Sequence, residues 1–356
     1  MTGVAGSPAA SAPPAAIRPA VVITDCDHPD IEIERAVFTA AGLDVHLADC
    51  RTEDEVLAKA AGAVALLVQY APVSARVLAG LPDCRVVGRY GTGLDPIDVA
   101  AAAAHGVDVV SVPDYSVQEV SDHAIALVLC LCRRIALSSS AVRSGRWDLA
   151  SAGTMHRLST LRLGVIGLGR IGQAVARKAA ALGFDVVGYD VVHPAGSAIP
   201  VLTLEELLRT SDVVSLHLPL SAQTRHLIDA SRLALMRPSA MLVNTSRGAV
   251  VDQAALTAAL AAGQLAGAGL DVLEREPPDQ ADRLLSCEQV IITPHVAFYS
   301  EESLAELKRR VAENVVAVLA QRGVLTRSGA VPQPSTAARP GTAAPPGPAA
   351  PRKLLS

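Results

Sequence analysis

A guanidinium, a carboxylate and an imidazole stand in three short motifs in the second half of the sequence. Arg247 lies in Asn-Thr-Ser-Arg-Gly, Glu276 in Asp-Val-Leu-Glu-Arg-Glu-Pro and His295 in Thr-Pro-His. A guanidinium can hold a carboxylate through two hydrogen bonds, and a carboxylate beside an imidazole favours the protonated ring. That ring can give its proton to a carbonyl oxygen while a hydride reaches the carbon. The set therefore suits reduction of a 2-keto acid, or the reverse oxidation of a 2-hydroxy acid.

Three apolar runs must position these side chains. The runs stand at residues 241–243, 269–272 and 290–292, close before the three reactive side chains. Short Val- and Leu-rich runs are typical of strands buried in a parallel sheet. Ligands of doubly wound sheets bind beyond the carboxyl ends of the strands. We therefore predict that the guanidinium, carboxylate and imidazole meet at one sheet edge.

A Gly-x-Gly-x-x-Gly run follows another apolar run and opens an Ala-rich helical stretch. In a dinucleotide-binding turn the first glycine permits the tight turn, the second lets the backbone approach the pyrophosphate, and the third lets helix and strand pack closely. The helix N-terminus then faces the phosphates. The predicted cofactor-binding residues of this turn are Gly167, Gly169, Arg170, Ile171 and Gly172.

An acidic side chain, Asp190, ends the next apolar run. A carboxylate there accepts hydrogen bonds from the ribose hydroxyls of NAD and repels the 2′-phosphate of NADP, so NAD is the predicted cofactor. Pro219, after a further strand, either borders the adenine or only ends that strand. Thr245, two positions before Arg247, is another candidate for cofactor binding.

Two series of alternating strand-like and helix-like stretches run along the chain, which is the pattern of an α/β fold with parallel sheets. One series begins near Ala20, and the other begins at Leu161 and contains six strand-like runs. Between them, Ser116 and Glu119 have the spacing of a capping box for a helix that continues to Arg134. The middle of that helix is apolar on every side, so we expect it to be buried all round.

Composition argues against several other classes of protein. Lys and Arg total 31 against 35 Asp and Glu, a net charge of −4, which disfavours nucleic-acid binding. The six cysteines form no Cys-x-x-Cys pair and the histidines show no metal-ligand spacing, so we expect no metal site. No signal peptide is evident, and a cytoplasmic protein with reduced thiols is expected. Residues 1–16 and 328–356, rich in Pro, Ala, Gly and Ser, are predicted to be disordered.

The motifs together resemble those of the D-isomer-specific 2-hydroxyacid dehydrogenases, from Val21 to Gly323. The resemblance rests on G-L-G-R-I-G, N-T-S-R-G, D-V-L-E-R-E-P and T-P-H-V-A-F-Y-S. It implies that Arg247 binds substrate, that His295 exchanges the proton and that Glu276 pairs with His295. It also implies that Asp271 contacts the carboxamide of the nicotinamide of NAD.

The substrate side is less clearly marked. The run Tyr-Gly-Thr-Gly-Leu-Asp resembles the family's carboxylate-binding loop, in which bare backbone amides can face an anion. Pro96 stands where many relatives have Asn and fits as a first helical residue. The aromatic side chains of Tyr70, Phe298 and Tyr299 are either walls of the substrate pocket or part of the core. The substrate-binding candidates are Tyr70, Tyr90, Gly91, Thr92, Gly93 and Phe298.

The resemblance also implies an architecture. Two Rossmann-like doubly wound domains are expected, with the nucleotide domain inserted in a discontinuous, flavodoxin-like substrate domain. Residues 17–113 and 297–327 would form the substrate domain, and residues 114–296 the NAD-binding domain. Homodimers would form through the helix at residues 116–134 and an arm near residues 143–156.

Within the family, the V-A-F-Y-S run and the V-Q-E-V-S-D-H helix resemble the subgroup of the C-terminal binding protein corepressors. Those relatives carry Trp where this chain has Phe298, so no substrate preference is transferred. The leading hypothesis is an NAD-dependent enzyme that interconverts a small 2-keto acid and a D-2-hydroxy acid. The alternatives are an NAD(H)-sensing, corepressor-like binding protein with weak catalysis, and a phosphoglycerate or phosphite dehydrogenase.

Overall fold

The computed structural model describes residues 19–192 and 199–325. The segments predicted to be disordered, residues 1–16 and 328–356, lie outside the described residues. The described chain divides into two compact units. The first comprises residues up to Gly88, Ala100–Val112 and residues from Arg310 onward, and the second comprises Arg89–Val99 and Pro113–Arg309.

The first unit is built on a five-stranded parallel sheet with the order β2-β1-β3-β4-β5, the order of flavodoxin-like folds. Its strands are β1 (Ala20–Ile23), β2 (Asp44–Leu47), β3 (Ala65–Val68), β4 (Val86–Arg89) and β5 (Asp108–Val110). Helices alternate with them: α1 (Glu32–Ala40), α2 (Glu53–Lys59), α3 (Ala75–Gly80) and α4 (Val99–Ala104). The central strand β3, Ala-Leu-Leu-Val, is buried at every position, which explains its continuous apolar sequence.

The second unit is built on a six-stranded parallel sheet with the order β11-β10-β9-β8-β6-β7. Its strands are β6 (Arg162–Ile166), β7 (Asp185–Tyr189), β8 (Val213–Leu216), β9 (Met241–Asn244), β10 (Gly267–Leu270) and β11 (Val290–Ile292). A single bridge from Gly188 to Val201 extends the sheet beyond β7. If that bridge is counted as a minimal strand, the order is that of the dinucleotide-binding fold. The predicted pair of doubly wound sheets is confirmed.

Helices cover both faces of the second sheet, and each face has its own apolar core. The helices of this part of the chain are α5 (Val117–Cys132), α6 (Ile135–Arg143), α7 (Arg170–Ala181), α8 (Leu204–Thr210), α9 (Ala230–Leu233), α10 (Gln253–Ala261) and α11 (Glu301–Gln321), the last divided between the two units. In the described chain no single helix is long and apolar enough to cross a bilayer; α5 and α6 pass that test only as a pair, bent by 57°. All six cysteines are free thiols.

The helices that begin near Ser116 and Ser300 differ at their N-termini. Ser300 caps α11, because its hydroxyl accepts the backbone N–H of Ser303 at 2.9 Å. The capping box at Ser116 is wrong, because the Ser116 side chain makes no cap hydrogen bond. The Glu119 carboxylate instead accepts the hydroxyl of Ser300 at 3.0 Å. A contact distant in sequence has replaced the local one.

The division between the units at Val112 and Pro113 lies within one residue of the predicted limit at 113, whereas the second division lies at Arg309 and Arg310 and not at the predicted limit of 297. Residues 297–309 pack with the second unit, and so does Arg89–Val99, although it lies inside the predicted substrate domain. An ion pair explains the second difference, because Asp95 of this segment binds Arg247 of the second unit.

Candidate active site

Loops that carry the predicted site residues leave the carboxyl ends of β6, β7, β9, β10 and β11 in the second unit. Parallel strands place all these ends at one edge of the sheet. The edge therefore brings together motifs that are far apart in the sequence.

His295 and Glu276 form a hydrogen-bonded pair at this edge. The ring Nδ1 of His295 lies 2.7 Å from Oε2 of Glu276, and each side chain is 36% exposed. The other oxygen, Oε1, accepts the backbone N–H of Leu273 at 2.9 Å, which fixes the carboxylate. Because Nδ1 is committed to the carboxylate, the ring atom that remains for a substrate oxygen is Nε2.

Several groups act on the ionisation of Glu276. Burial alone would raise the pKa of its carboxyl, but the hydrogen bond and charge of His295, the Leu273 N–H and the charge of Arg247 together outweigh burial and lower that pKa. Glu276 is therefore ionised at and above its ordinary value of 4.5. An ionised partner favours the protonated imidazole that proton donation to a carbonyl oxygen requires.

The Thr-Pro-His turn that carries His295 is wrapped around Asp271. The His295 backbone is left-handed, with φ of 54°, which is unusual for a residue with a side chain. Its N–H donates to the backbone carbonyl of Asp271 at 2.8 Å. The Asp271 carboxylate accepts the N–H groups of Val296 at 3.0 Å and Ala297 at 2.9 Å and the hydroxyl of Thr293 at 2.6 Å. Three contacts to one buried carboxylate thus hold the turn in shape.

Arg247 is held by its own motif on one side. The buried side chain of Asn244 donates to the Arg247 carbonyl at 2.9 Å and accepts the Ser246 N–H at 3.0 Å, which closes the turn after β9. The guanidinium NH1 donates back to the Ser246 carbonyl at 2.6 Å. The motif therefore uses its Asn for the turn and its Arg for the site.

On the other side, Asp95 holds the guanidinium. The Arg247 Nε donates to Oδ2 of Asp95 at 3.0 Å, with the two side chains 28% and 38% exposed. This leaves N–H groups at the two terminal nitrogens for a substrate carboxylate. Asp95 is the last residue of the predicted carboxylate-binding loop, residues 90–95, which we call the anion loop, but the sequence did not predict its ion pair with Arg247.

Gly248, the last residue of the same motif, lets two loops touch. A Cβ at Gly248 would lie 1.9 Å from the backbone carbon of Leu273 and 2.5 Å from the backbone nitrogen of Glu274. No side chain fits there without displacing backbone. The loop that carries Arg247 is thus in direct contact with the loop that carries Glu276.

Gly93 also owes its place to the lack of a side chain. A Cβ at this position would lie 1.7 Å from NH2 of Arg247 and 2.5 Å from Oδ2 of Asp95. The neighbouring Gly91 has φ of 129°, which an L side chain rarely adopts. The predicted anion loop therefore lies against the guanidinium that the sequence assigns to the same carboxylate.

Gly93→Ala is expected to weaken use of the keto acid because the new methyl group pushes the Arg247 guanidinium out of place. We expect kcat/KM for the keto acid to fall by roughly 10- to 100-fold, the scale of a displacement of about 1 Å at a catalytic group. Steady-state kinetics with varied keto acid and varied NADH measure this. The KM for NADH and the melting temperature should stay near those of the parent. An unchanged KM for the keto acid would contradict the assignment of Gly93.

Aromatic rings line one side of the pair. Phe298 packs edge-on to the His295 ring at a centroid distance of 6.4 Å, and the Tyr115 ring lies 6.4 Å from the Phe298 ring between centroids. Burial raises the pKa of the Tyr115 hydroxyl, which the charges of nearby Arg89 and Arg247 oppose. Phe298 is thus placed beside the predicted proton donor, as a pocket wall would be.

Three further substrate candidates have different surroundings. Tyr90 is buried, at 3% exposure, whereas Thr92 in the same loop is exposed. Tyr70 belongs to the first unit, where it is 53% exposed and donates its hydroxyl to Asp27 at 2.7 Å. Their roles toward substrate stay predictions.

The glycine-rich turn after β6 fits a dinucleotide. Gly167 has φ of 91° and a Cβ there would lie 2.4 Å from the backbone oxygen of His217, while a Cβ at Gly172 would lie 1.8 Å from the Gly167 carbonyl oxygen. By contrast, Gly169 has nothing within 4 Å of its Cβ position, so this backbone is open to a bulky ligand. Helix α7 begins at Arg170, followed by Ile171, and the free N–H groups of its first turn point toward the glycine-rich turn.

Three more residues predicted to bind the cofactor have different surroundings. The Asp190 carboxylate ends β7 and accepts the Leu168 N–H at 2.6 Å and the Val192 N–H at 3.0 Å, so it ties the glycine-rich turn to the strand end. The Thr245 hydroxyl is buried without a hydrogen-bond partner. Buried polar groups normally have partners, so Thr245 fits a bound ligand. The backbone carbonyl of Pro219 accepts the Thr224 hydroxyl at 2.6 Å. This contact does not distinguish a ring that borders the adenine from one that only ends the strand.

Known proteins share this arrangement. A family model described as the D-isomer specific 2-hydroxyacid dehydrogenase, NAD binding domain, matches residues 125–297. A glyoxylate reductase of Korarchaeum cryptofilum is 38% identical over 253 residues, which cover 69% of this chain and 76% of that protein. A glycerate dehydrogenase of Methylorubrum extorquens is 36% identical over 276 residues, or 76% of this chain and 87% of that protein.

The chain belongs to the D-isomer specific 2-hydroxyacid dehydrogenase family. The solved structure of the D-lactate dehydrogenase of Aquifex aeolicus, complexed with NAD and lactic acid, has a TM-score of 0.78 to this chain at 30% identity and covers 85% of this chain and 96% of its own. The family prediction, the α/β fold and the NAD prediction are confirmed. The nearness to the corepressor subgroup is not confirmed by these dehydrogenase relatives.

As a 2-hydroxyacid dehydrogenase, the chain is an NAD-dependent oxidoreductase that interconverts keto and hydroxy acids. The structure brings Arg247, Glu276 and His295 together in one unit with the anion loop and Phe298. Sequence reasoning missed Asp95 and also a second His–Glu pair, between His226 and Glu274. The only sequence signal for that pair is Glu274 itself, which stands two positions before Glu276.

Proposed function

We propose that this dehydrogenase reduces a small 2-keto acid to the D-2-hydroxy acid, with His295 as proton donor, Glu276 as its charged partner and Arg247 as carboxylate clamp. The observation that carries the proposal is the His295–Glu276 hydrogen bond of 2.7 Å through Nδ1, which leaves Nε2 for the substrate. The Arg247 guanidinium supports it, because Asp95 and the Ser246 carbonyl hold it in place.

Each residue then has a defined task. Arg247 and the backbone of the anion loop bind and orient the carboxylate of the acid. Protonated His295 gives the proton at Nε2 to the carbonyl oxygen, and Glu276 stabilises the charge of the ring before transfer. The nicotinamide, when bound, supplies or accepts the hydride. Gly167, Gly169, Gly172, Asp190, Thr245 and the N-terminus of α7 are the groups that would hold the dinucleotide.

We propose glyoxylate and hydroxypyruvate as the substrate class, because the relatives named above include a glyoxylate reductase and a glycerate dehydrogenase. The test is NADH oxidation with glyoxylate, hydroxypyruvate, pyruvate, phenylpyruvate, branched 2-keto acids and phosphohydroxypyruvate. Higher kcat/KM for glyoxylate and hydroxypyruvate than for the other acids supports the proposal. Preference for the phosphorylated acid would favour a phosphoglycerate dehydrogenase, and no turnover of any acid would favour a sensor.

Asp190→Ala is expected to reduce discrimination between NADH and NADPH, because the carboxylate that would repel a 2′-phosphate is lost. We expect the parent to prefer NADH by about 10-fold or more and the variant to narrow that ratio by a similar factor, the scale of one charge contact. The measurement is kcat/KM for each cofactor at saturating keto acid. Equal efficiencies with both cofactors in the parent would refute the role of Asp190.

We also propose that the enzyme is a cytoplasmic homodimer. Support comes from exposed apolar side chains on α6 and the segment after it: Ile135, Val142, Trp147 and Leu149, the last two 86% and 89% exposed. A cavity of about 550 Å³ at the amino edge of the second sheet is bordered by α5, the start of α6 and Thr154–His156. Apolar patches of this kind are typical of subunit contacts. Sedimentation of the full chain measures the mass of the particle in solution, and twice the 36.7 kDa mass of one chain would support the dimer.

A further inference from the structure

His123 is a histidine of α5 that the mechanism above does not use. Its Nε2 lies 2.9 Å from the hydroxyl oxygen of Thr293, which is 170 positions later in the chain. The same Nε2 lies 3.7 Å from Oδ1 of Asp271, whose side chain is completely buried. Helix α5 therefore contacts the turn that carries His295 through one imidazole nitrogen.

The direction of each hydrogen bond in this chain of groups is fixed. The Asp271 carboxylate can only accept, so the 2.6 Å contact uses the single hydroxyl proton of Thr293. The Thr293 oxygen must then accept from His123, and Nε2 of His123 must carry a hydrogen. Both the Nε2–H neutral ring and the charged ring satisfy this, so the link does not depend on the protonation of His123.

Asp271 connects the His123–Thr293 hydrogen bond to the turn that carries His295. Its carboxylate accepts the N–H groups of Val296 and Ala297, and its carbonyl accepts the N–H of His295. The left-handed backbone of His295 is disfavoured by itself and persists only where neighbours enforce it. The orientation of the Asp271 carboxylate therefore helps to set the orientation of the His295 ring.

We propose that His123 is a positioning residue for the proton donor, acting through Thr293 and Asp271 on the turn of His295. This deepens the proposed function and rests on it. His123 touches neither substrate nor cofactor in this scheme. It donates the hydrogen bond that turns the Thr293 hydroxyl toward Asp271, and without that donor the hydroxyl is free to rotate to other acceptors. The defect should then appear in the turnover step rather than in substrate binding.

The test compares His123→Gln, whose side-chain amide can donate near the position of Nε2, with His123→Leu, which cannot donate. We expect His123→Leu to lower kcat by about 10- to 30-fold with both KM values within about twofold, since misplaced catalytic groups reduce the rate. His123→Gln should stay within about threefold of the parent in kcat because it restores the donor. The matched control is His105→Leu, an exposed histidine after α4, with parental kinetics.

Amide hydrogen exchange in the cofactor-free protein supplies a readout that does not require turnover. The Val296 and Ala297 amides should exchange about tenfold faster in His123→Leu and near the parental rate in His123→Gln. If the parent turns over no keto acid, the proposed function fails while this measurement still decides the role of His123. Parental exchange rates in His123→Leu would overturn the proposal.

Thr293→Val closes the test, because valine keeps the shape of threonine without its hydroxyl. If both residues act through one hydrogen bond, His123→Leu and Thr293→Val should lower kcat by similar factors and the double variant by no more than either alone. Multiplied losses in the double variant, a rise in KM in place of a fall in kcat, or no recovery in His123→Gln would overturn the proposal.

Discussion

His295→Ala should reduce keto-acid reduction by roughly a thousandfold in kcat, within the range that positioned acid–base groups contribute. The structure gives the reason, because His295 is tied at Nδ1 to Glu276 and has Nε2 left for the substrate. Binding of NADH, measured by fluorescence titration, should remain close to that of the parent. His105→Ala is the matched control. Full activity of His295→Ala, or a loss of NADH binding as large as the loss of rate, would remove His295 from the proton-transfer role and revive the sensor hypothesis.

Glu276→Gln, compared with the parent by kcat over a range of pH, tests the role of the carboxylate in the His295–Glu276 pair. Reduction needs an ionised Glu276 and a protonated ring. Because the pKa of Glu276 lies below its ordinary value of 4.5, rate should be lost on the acid side only as pH falls through that lowered value. The glutamine variant should retain partial activity and lose this acid limb. Its amide oxygen can still accept the Leu273 N–H, so the loop should stay in place.

Arg247→Ala is the second variant with a large expected effect. We expect kcat/KM for the keto acid to fall by roughly a thousandfold, with a raised KM and a lowered kcat, since the charge acts on the bound acid and on the transition state. The loss also removes the cation that pairs with Asp95, so the negative charge of that carboxylate in the anion loop is no longer neutralised. That carboxylate repels the substrate and adds to the loss.

Arg247→Lys separates charge from shape. Lysine cannot hold Asp95, the Ser246 carbonyl and a substrate carboxylate in one plane, so it should recover only a small part of the activity. Arg209→Ala, an exposed arginine on α8, should behave as the parent. Steady-state kinetics at several salt concentrations measure kcat and KM for the keto acid in the three variants and the parent. Parental KM in Arg247→Ala would show that another group binds the carboxylate.

The fold was predictable because strands buried in a parallel sheet have continuous apolar sequences, as β1 and β3 do. The site was predictable for a related reason. Strand ends of a parallel sheet converge, so residues that follow β9, β10 and β11 must meet. No long-range information was needed to place Arg247 near Glu276 and His295.

The parts that sequence reasoning missed depend on contacts between distant segments. Asp95 pairs with a residue 152 positions away, and His123 with one 170 positions away. Local rules also failed at Ser116, where the expected cap partner Glu119 is taken by Ser300. In each case the partner of the side chain lies far away in the sequence. Tertiary packing brings the two together, and the spacing of residues along the chain does not predict such contacts.

The contact of Gly248 with the backbone of Leu273 and Glu274 bears on how such enzymes can diversify. The loops of the site are fastened to one another largely by main-chain groups: Gly248 against Leu273, and the N–H of Asp271 on the carbonyl of Asn244 at 2.9 Å. When loops are held by main-chain contacts, a side chain that points into the site can be exchanged more readily than a methyl group can be added at a glycine where two loops touch. We therefore expect an evolving lineage, natural or in the laboratory, to explore new chemistry at position 276 while purifying selection keeps position 248 as glycine.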